Sequence, residues 1–151
     1  MIFQYAPGHS IGREAGVFAR IFEKQTQFQV LLQKRLCDKP KGTYGIRELP
    51  GGGIQAQDSS LNEALKREVQ EELVLDISGL MYHKMLSIPL VTKAPIAICF
   101  LEVSQKTLYP QDTEEACDAR FFPLDCIGQE MLSQAMRSTI LPKIERVLPQ
   151  L

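Results

Sequence analysis

Residues 49–75 read LPGGGIQAQDSSLNEALKREVQEELVL, a glycine-rich entry followed by a run with helical periodicity. At about 100° per residue, Leu61, Leu65, Val69 and Leu73 form one apolar stripe, the face a helix lays on a sheet. Ser59 or Ser60 caps the start of this helix. Glu63, three residues after Ser60, completes a capping box, and the helix is expected to run to about Leu75. Glu68, Glu71 and Glu72 fall within roughly 100° of one another on one border of the stripe. Glu63, Lys66 and Gln70 occupy the opposite, solvated side.

Glu68 with Glu71 is an i,i+3 pair and Glu68 with Glu72 an i,i+4 pair. Like charges at these spacings destabilise a helix by roughly 0.2–0.5 kcal/mol each. Arg67, four residues before Glu71, is the only cation in the run spaced to answer one of these three acids. Three carboxylates beside a buried face form an unbalanced anionic cluster. A hard divalent cation resolves it, because Mg²⁺ takes oxygen ligands and shares its coordination with phosphates and water. The alternative is an ordinary solvated acidic face. The loop ahead of the helix favours the cation: Gly51, Gly52 and Gly53 let the main chain approach a ligand closely, and Pro50 sets the entry to the turn.

These residues resemble the box of the Nudix hydrolase superfamily, G-x5-E-x7-R-E-U-x-E-E-x-G-U with U aliphatic. Gly53 takes the leading position, Arg67-Glu68-Val69-Gln70-Glu71-Glu72-Leu73 matches the core, and Leu75 closes it; the match spans 23 residues, about a sixth of the chain. Two positions depart from the pattern. The first Glu of the box falls on Ser59, although Asp58 supplies that carboxylate if the loop carries one extra residue. The late Gly is Val74, and a β-branched residue strongly disfavours the left-handed conformation that Gly adopts there. The helix is therefore expected to end differently, running on towards Asp76.

The resemblance implies an α/β/α sandwich with a mixed sheet, a central catalytic helix and a C-terminal helix. It implies hydrolysis of a nucleoside diphosphate linked to another moiety, with Mg²⁺ or Mn²⁺ held by Glu68, Glu71 and Glu72 and a backbone carbonyl near Gly52 or Gly53. Arg67 would orient a neighbouring carboxylate, with Glu71 its expected partner given Ser59. A further carboxylate from a later loop falls on Glu114 or Glu115, and Glu102 is a weaker candidate. The general base is Glu68 or Glu115, with no choice made between them.

Outward from the box, residues 16–23 (GVFARIFE) and 28–35 (FQVLLQKR) read as strands joined by the short polar stretch 24–27, a hairpin. Residues 36–53 read as a loop. Residues 81–90 read as extended, and residues 96–103 (IAICFLEV) as a central strand, being apolar on both faces. Residues 119–124 (ARFFPL) form a short extended piece. From Gln129 to Leu148 the pattern turns helical, and Pro142 interrupts it or starts a second short helix. No repeat or linker divides the chain, so residues 1–151 are expected to be one domain.

Composition narrows the classes. The 151 residues carry 17 Lys and Arg against 18 Asp and Glu, a net charge of −1, without the basic excess of a non-specific nucleic-acid binder. No apolar run approaches the ~20 residues of a membrane span, and the first residues lack the pattern of a signal peptide. Cys37, Cys99, Cys117 and Cys126 show no C-x-x-C pairing, and with His9 and His83 they make no zinc pattern. Reduced thiols in a cytoplasmic protein are expected, with the histidines in surface or turn roles.

The substrate is less constrained. Arg35 and Arg47, with Gly51 and Gly52, are the chosen phosphate contacts; Lys34, Lys39 and Lys41 are equally read as surface charge. Tyr44, Tyr82, Phe121 and Phe122 are able to stack on a base, Phe121 and Phe122 being more often core. Pro89 lies near, but not on, the position linked in the superfamily with ADP-ribose. The expected partner is a small-molecule nucleotide-diphosphate, with a homodimer left open and neither nucleic acid nor membrane expected. A non-catalytic nucleotide-binding domain of the same fold is the alternative reading.

Overall fold

The structure is a computed structural model that describes residues 3–5, 14–24, 28–38, 41–90, 94–103, 108–125 and 136–151. Along these residues run β1 (Phe3–Tyr5), β2 (Gly16–Lys24), β3 (Phe28–Arg35), β4 (Arg47–Glu48), β5 (Gly51–Gly53), α1 (Leu61–Leu73), β6 (Met81–Ile88), β7 (Ile96–Val103), β8 (Ala116–Pro123) and α2 (Leu141–Val147). A π-type turn, Met136–Ile140, leads into α2, so Pro142 stands in the first turn of a short helix, where its missing N–H is harmless. The turn of the expected hairpin and the first part of the expected terminal helix lie outside the described residues, as do His9, Lys39 and Cys126.

One mixed sheet runs β1-β6-β7-β2-β3-β4, with β5 added to β2 and β8 to β3. Strands β2 and β7 pair in parallel along the whole of β7, from Gly16↔Ile96 to Glu23↔Val103, and the other pairings are antiparallel. Strand β7 is apolar on both faces because both are covered. Ala97, Cys99, Leu101 and Val103 pack beneath α1 with Leu61, Leu65, Val69 and Leu73. Ile96, Ile98 and Phe100 pack beneath α2 with Ile140, Leu141 and Ile144. The α/β/α sandwich is the architecture expected from the sequence.

The second edge of β2 is divided. Its far end pairs with β3 (Phe22↔Val30) and its near end with the glycine strand β5 (Val17↔Gly52, Phe18↔Gly51). Beyond β2, β3 pairs with β4, placing Gln33 opposite Glu48 and Lys34 opposite Arg47. The sheet therefore opens between β5 and β4, and α1 lies over the opening.

Two expectations are corrected. The segment read as one loop contains β4 and β5; three glycines suggest a turn, yet here they permit close pairing. A Cβ on Gly51 would stand 2.6 Å from the Phe18 Cα, and its φ of +144° suits only glycine. The second correction concerns Val74. It does not extend α1 but ends it in the left-handed conformation, φ 54° and ψ 43°, with its N–H donating to the Gln70 carbonyl at 3.0 Å. Leu75 and Ile77 are anchored in the core just beyond it. The loop ahead of β8 takes the last helical carbonyls: Gln111 N donates to Leu73 O at 2.8 Å and Thr113 Oγ1 to Glu72 O at 2.7 Å. These anchors outweigh the local preference of valine.

Candidate functional site

The start of α1 follows the capping chemistry of its sequence: Ser60 Oγ accepts the Glu63 N–H at 3.2 Å. Two residues earlier, Asp58 turns back on its own loop, accepting the Gln55 N–H at 2.8 Å. Its carboxylate also accepts both Nε (2.9 Å) and Nη2 (2.8 Å) of Arg67, a bidentate pair. Arg67 is the hub of this end of the site. It donates to Glu68 Oε1 at 2.8 Å, to Glu71 Oε2 at 3.3 Å and to the Gly53 carbonyl at 3.0 Å. The main partner of Arg67 is thus Asp58 rather than Glu71, and Ser59 is exposed. The guanidinium hydrogen bonds hold the Asp58 carboxyl below its usual range, and the same bonds raise Arg67 further.

The apolar stripe of α1 brings Glu68 and Glu72 down with it, and both are buried, while Glu71 stays exposed. Glu68 lies on the main chain of Gly52: a Cβ there would stand 2.7 Å from its Cδ, so any other residue would push the carboxylate aside. Glu72 accepts the Gly51 N–H at 3.4 Å and, from the other side, the Nε2 of Gln33. Gln33 Nε2 also donates to Glu48 Oε1 at 3.4 Å. Burial pushes Glu72 up to about 8 against the pull of the Gln33 and Gly51 hydrogen bonds, with Glu48 and Glu68 adding to the rise. Burial likewise raises Glu68, opposed by Arg67 and assisted by Glu71 and Glu115, and it raises Glu48. The face is short of positive charge.

That donor set fits a hard divalent cation: all carboxylate oxygens, two of them buried, beside main chain that a Cβ would obstruct. The three box carboxylates are not, however, gathered on one point. Among the described residues no three His, Cys, Asp or Glu side chains meet at ligand distance. Arg67 draws Glu68 and Glu71 one way, and Gln33 holds Glu72 the other.

The other sequence candidates are placed as follows. Glu115 is exposed on the loop that Thr113 fastens to the end of α1, and its charge reaches Glu68. Glu102 instead faces His83 Nε2 at 3.3 Å on the neighbouring strand, so His83 sits in a sheet bulge and has a partner, contrary to a surface or turn role. Arg35 lies against Glu48 at 3.5 Å and donates to Thr43 Oγ1 and Cys37 O. Arg47 is not brought to the acidic face. It is buried, paired with Asp118 at 2.5 Å and stacked over Phe122 at 5.0 Å. Phe121 and Phe122 belong to the core, Tyr82 packs against it, and Tyr44 is exposed. An apolar cavity of about 270 Å³ opens beside Gly52 and Gly53, lined also by Phe18, Leu90, Ile96 and Ile140. Cys37, Cys99 and Cys117 are free thiols.

Gln33 and Glu48 are site neighbours that the sequence reading missed. Their signal is faint: a polar residue at 33, two positions after Leu31 on the buried face of β3, and an acid directly before Leu49-Pro50.

A family model described as the NUDIX domain matches residues 12–142. No curated protein matches the chain in sequence. Among solved structures, a Nudix hydrolase from M. smegmatis, RenU, is similar with a TM-score of 0.74 at 15% identity, covering 93% of this chain and 89% of that one. A C. elegans Ap4A hydrolase in a binary complex gives 0.71 at 14% identity, over 90% of this chain and 99% of that one. The NUDIX domain of Shewanella oneidensis NrtR complexed with ADP ribose gives 0.64 at 19% identity, over 95% and 94%. At these identities the likeness is one of fold. No helix among the described residues is long and apolar enough to cross a membrane.

Proposed function

The chain belongs to the NUDIX domain family, and from that membership we propose that it is a divalent-metal-dependent pyrophosphohydrolase acting on a nucleoside diphosphate linked to another moiety. The observation that carries this reading is the pair of buried carboxylates, Glu68 and Glu72, pressed against the Gly51–Gly52 main chain with their proton affinity raised. Glu68, Glu71 and Glu72, with the carbonyl of Gly53, would hold Mg²⁺ or Mn²⁺. The ion supplies charge neutralisation at the diphosphate and a more acidic attacking water.

The chain's own groups do the rest. Arg67, fixed by Asp58, sets the orientation of Glu68 and Glu71 and ties the helix to the Gly53 carbonyl. Glu68 or Glu115 takes the proton of the attacking water on a carboxylate oxygen. The main chain of Gly51 and Gly52 admits the diphosphate closely, and Arg35 at the mouth of β3 offers a cation to it. Arg47 is left out of this set because it is buried with Asp118. The apolar cavity beside Gly52 and Gly53 is suited to a base or another weakly polar part of the substrate.

The alternative is a nucleotide-binding domain without turnover; the similar NrtR domain was crystallised with ADP ribose. A phosphate-release screen decides between them. Nucleoside triphosphates, ADP-ribose, sugar nucleotides, dinucleoside polyphosphates and coenzyme A are presented with Mg²⁺ or Mn²⁺ and again with chelator. Chelator-sensitive release from any of them is the expected result. A folded protein that releases nothing, yet binds one of these nucleotides by calorimetry, is the binding domain.

A further inference from the structure

Strand β3 breaks its own pattern at one place. Leu31 and Gln33 point to the same face, beneath α1, and Gln33 is buried to 1% exposure where an apolar side chain would fit the layer. Its amide nitrogen lies between two carboxylates from different elements: Glu72 of α1 and, at 3.4 Å, Glu48 of β4, which the register sets directly opposite. Its amide oxygen is buried and has no hydrogen-bond partner among the described residues. Opposite Gln33 the β3–β8 register shifts, with Leu32↔Arg120 followed by Lys34↔Cys117, so β8 bulges there around Asp118. Bulges re-aim side chains and gather near functional sites.

Each of these features is unfavourable for stability alone. A buried acceptor is left unmatched, and two acids converge on one amide, with Arg35 at 3.5 Å answering Glu48 alone. A cation taken up by the other oxygens of the two acids relieves their charge, while the Gln33 amide, donating to Glu72 Oε2 and Glu48 Oε1, fixes where those oxygens point. We propose that Gln33 is a positioning residue that aims Glu72 and Glu48 at a common point, and that Glu48 is a fourth carboxylate of the cation site. The proposal rests on the metal-dependent reading of the Glu68–Glu72 face. It extends that site off the helix and onto the sheet.

The test is Mn²⁺ affinity of the full chain, measured by titration calorimetry without substrate, for wild type, Gln33→Met, Glu48→Gln and Glu72→Gln. Thermal melts in chelator report the purely structural effect of each change. Gln33→Met and Glu48→Gln are each expected to weaken Mn²⁺ binding about 10- to 100-fold, the range for groups that orient or complete a metal site. Melting temperatures in chelator should stay within a few degrees of wild type. If Glu72→Gln loses Mn²⁺ while the other two bind it as wild type does, the proposal is overturned and the cation reading stands. If wild type binds no Mn²⁺, the cation reading falls and the proposal with it. Should Gln33→Met not fold, Glu48→Gln decides alone, since a half-buried isosteric change leaves the fold intact.

Discussion

At the residue scale the acidic face separates two kinds of carboxylate. Glu72 is buried and pushed up to about 8, so as an anion it is a burden on the fold unless something positive joins it. Glu72→Gln should therefore lower turnover by ~10²-fold or more, as when one preorganised charge contact is removed. Its melting temperature in chelator should equal or exceed that of wild type. Full activity in this variant would remove Glu72 from the metal set. Asp118 is the opposite case. It lies at φ 49° in the β8 bulge, a conformation aspartate tolerates, and Arg47 holds its carboxyl below the ordinary 3.8. A depressed folded pKa adds stability that is whole above about pH 4 and is lost as pH falls through the folded value. Asp118→Asn should accordingly destabilise the protein at pH 7, with the difference from wild type shrinking towards pH 3. Denaturant midpoints at the two pH values measure it, and a difference that grew on acidification would contradict the pairing.

At the element scale α1 shows which boundaries a sequence declares. Its start was legible, because Ser60 and Glu63 carry the cap in their side chains, and the stripe Leu61, Leu65, Val69, Leu73 named the buried face. Its end was not. Local preference argues against Val74 in the left-handed region, yet tertiary anchors at Leu75, Ile77, Gln111 and Thr113 impose it. A non-glycine residue there costs about 1–2 kcal/mol, while glycine adds roughly 0.5–1 kcal/mol of unfolded-state entropy. Val74→Gly should thus stabilise the protein by ~0.5–1 kcal/mol in urea unfolding, with Mn²⁺ affinity unchanged; a loss of stability would mean that the valine side chain, 42% exposed, contributes packing that outweighs its strain. For the same reason β4 and β5 were hidden: two and three residues long, they exist through pairing with β3 and β2 rather than through any pattern of their own. The Glu68, Glu71 and Glu72 arc followed from periodicity, whereas Gln33 and Glu48 needed the register that sets them face to face.

At the scale of the whole molecule the sheet separates two cores, and the strand alternation that sorts them carries one anomaly. Along β2, Val17, Ala19 and Ile21 face α1, while Phe18, Arg20 and Phe22 face the α2 layer. Arg20 is fully buried there, beside Phe100 in the register, and none of its three guanidinium nitrogens has a hydrogen-bond partner among the described residues. Its nearest acid is Glu145 on α2, at 3.8 Å and partly solvated. Burial pushes Arg20 down to about 10, which shows that desolvation exceeds what Glu145 returns. Nothing in residues 16–23 marks this position as interior, since the charge of Arg20 by itself argues for exposure. Replacing a buried ion by an apolar side chain of similar volume is often neutral or stabilising by roughly 1–4 kcal/mol. Arg20→Met should then leave thermal stability equal or higher, with the two cores and the acidic face on the far side of the sheet intact. The alternative is that Arg20 and Glu145 together fix α2 on the sheet. In that case Arg20→Met lowers stability, and Glu145→Gln lowers it by a comparable amount. Melting curves of the two single variants and the double variant separate these outcomes, because only a coupled pair gives a double variant whose loss is smaller than the sum of the singles.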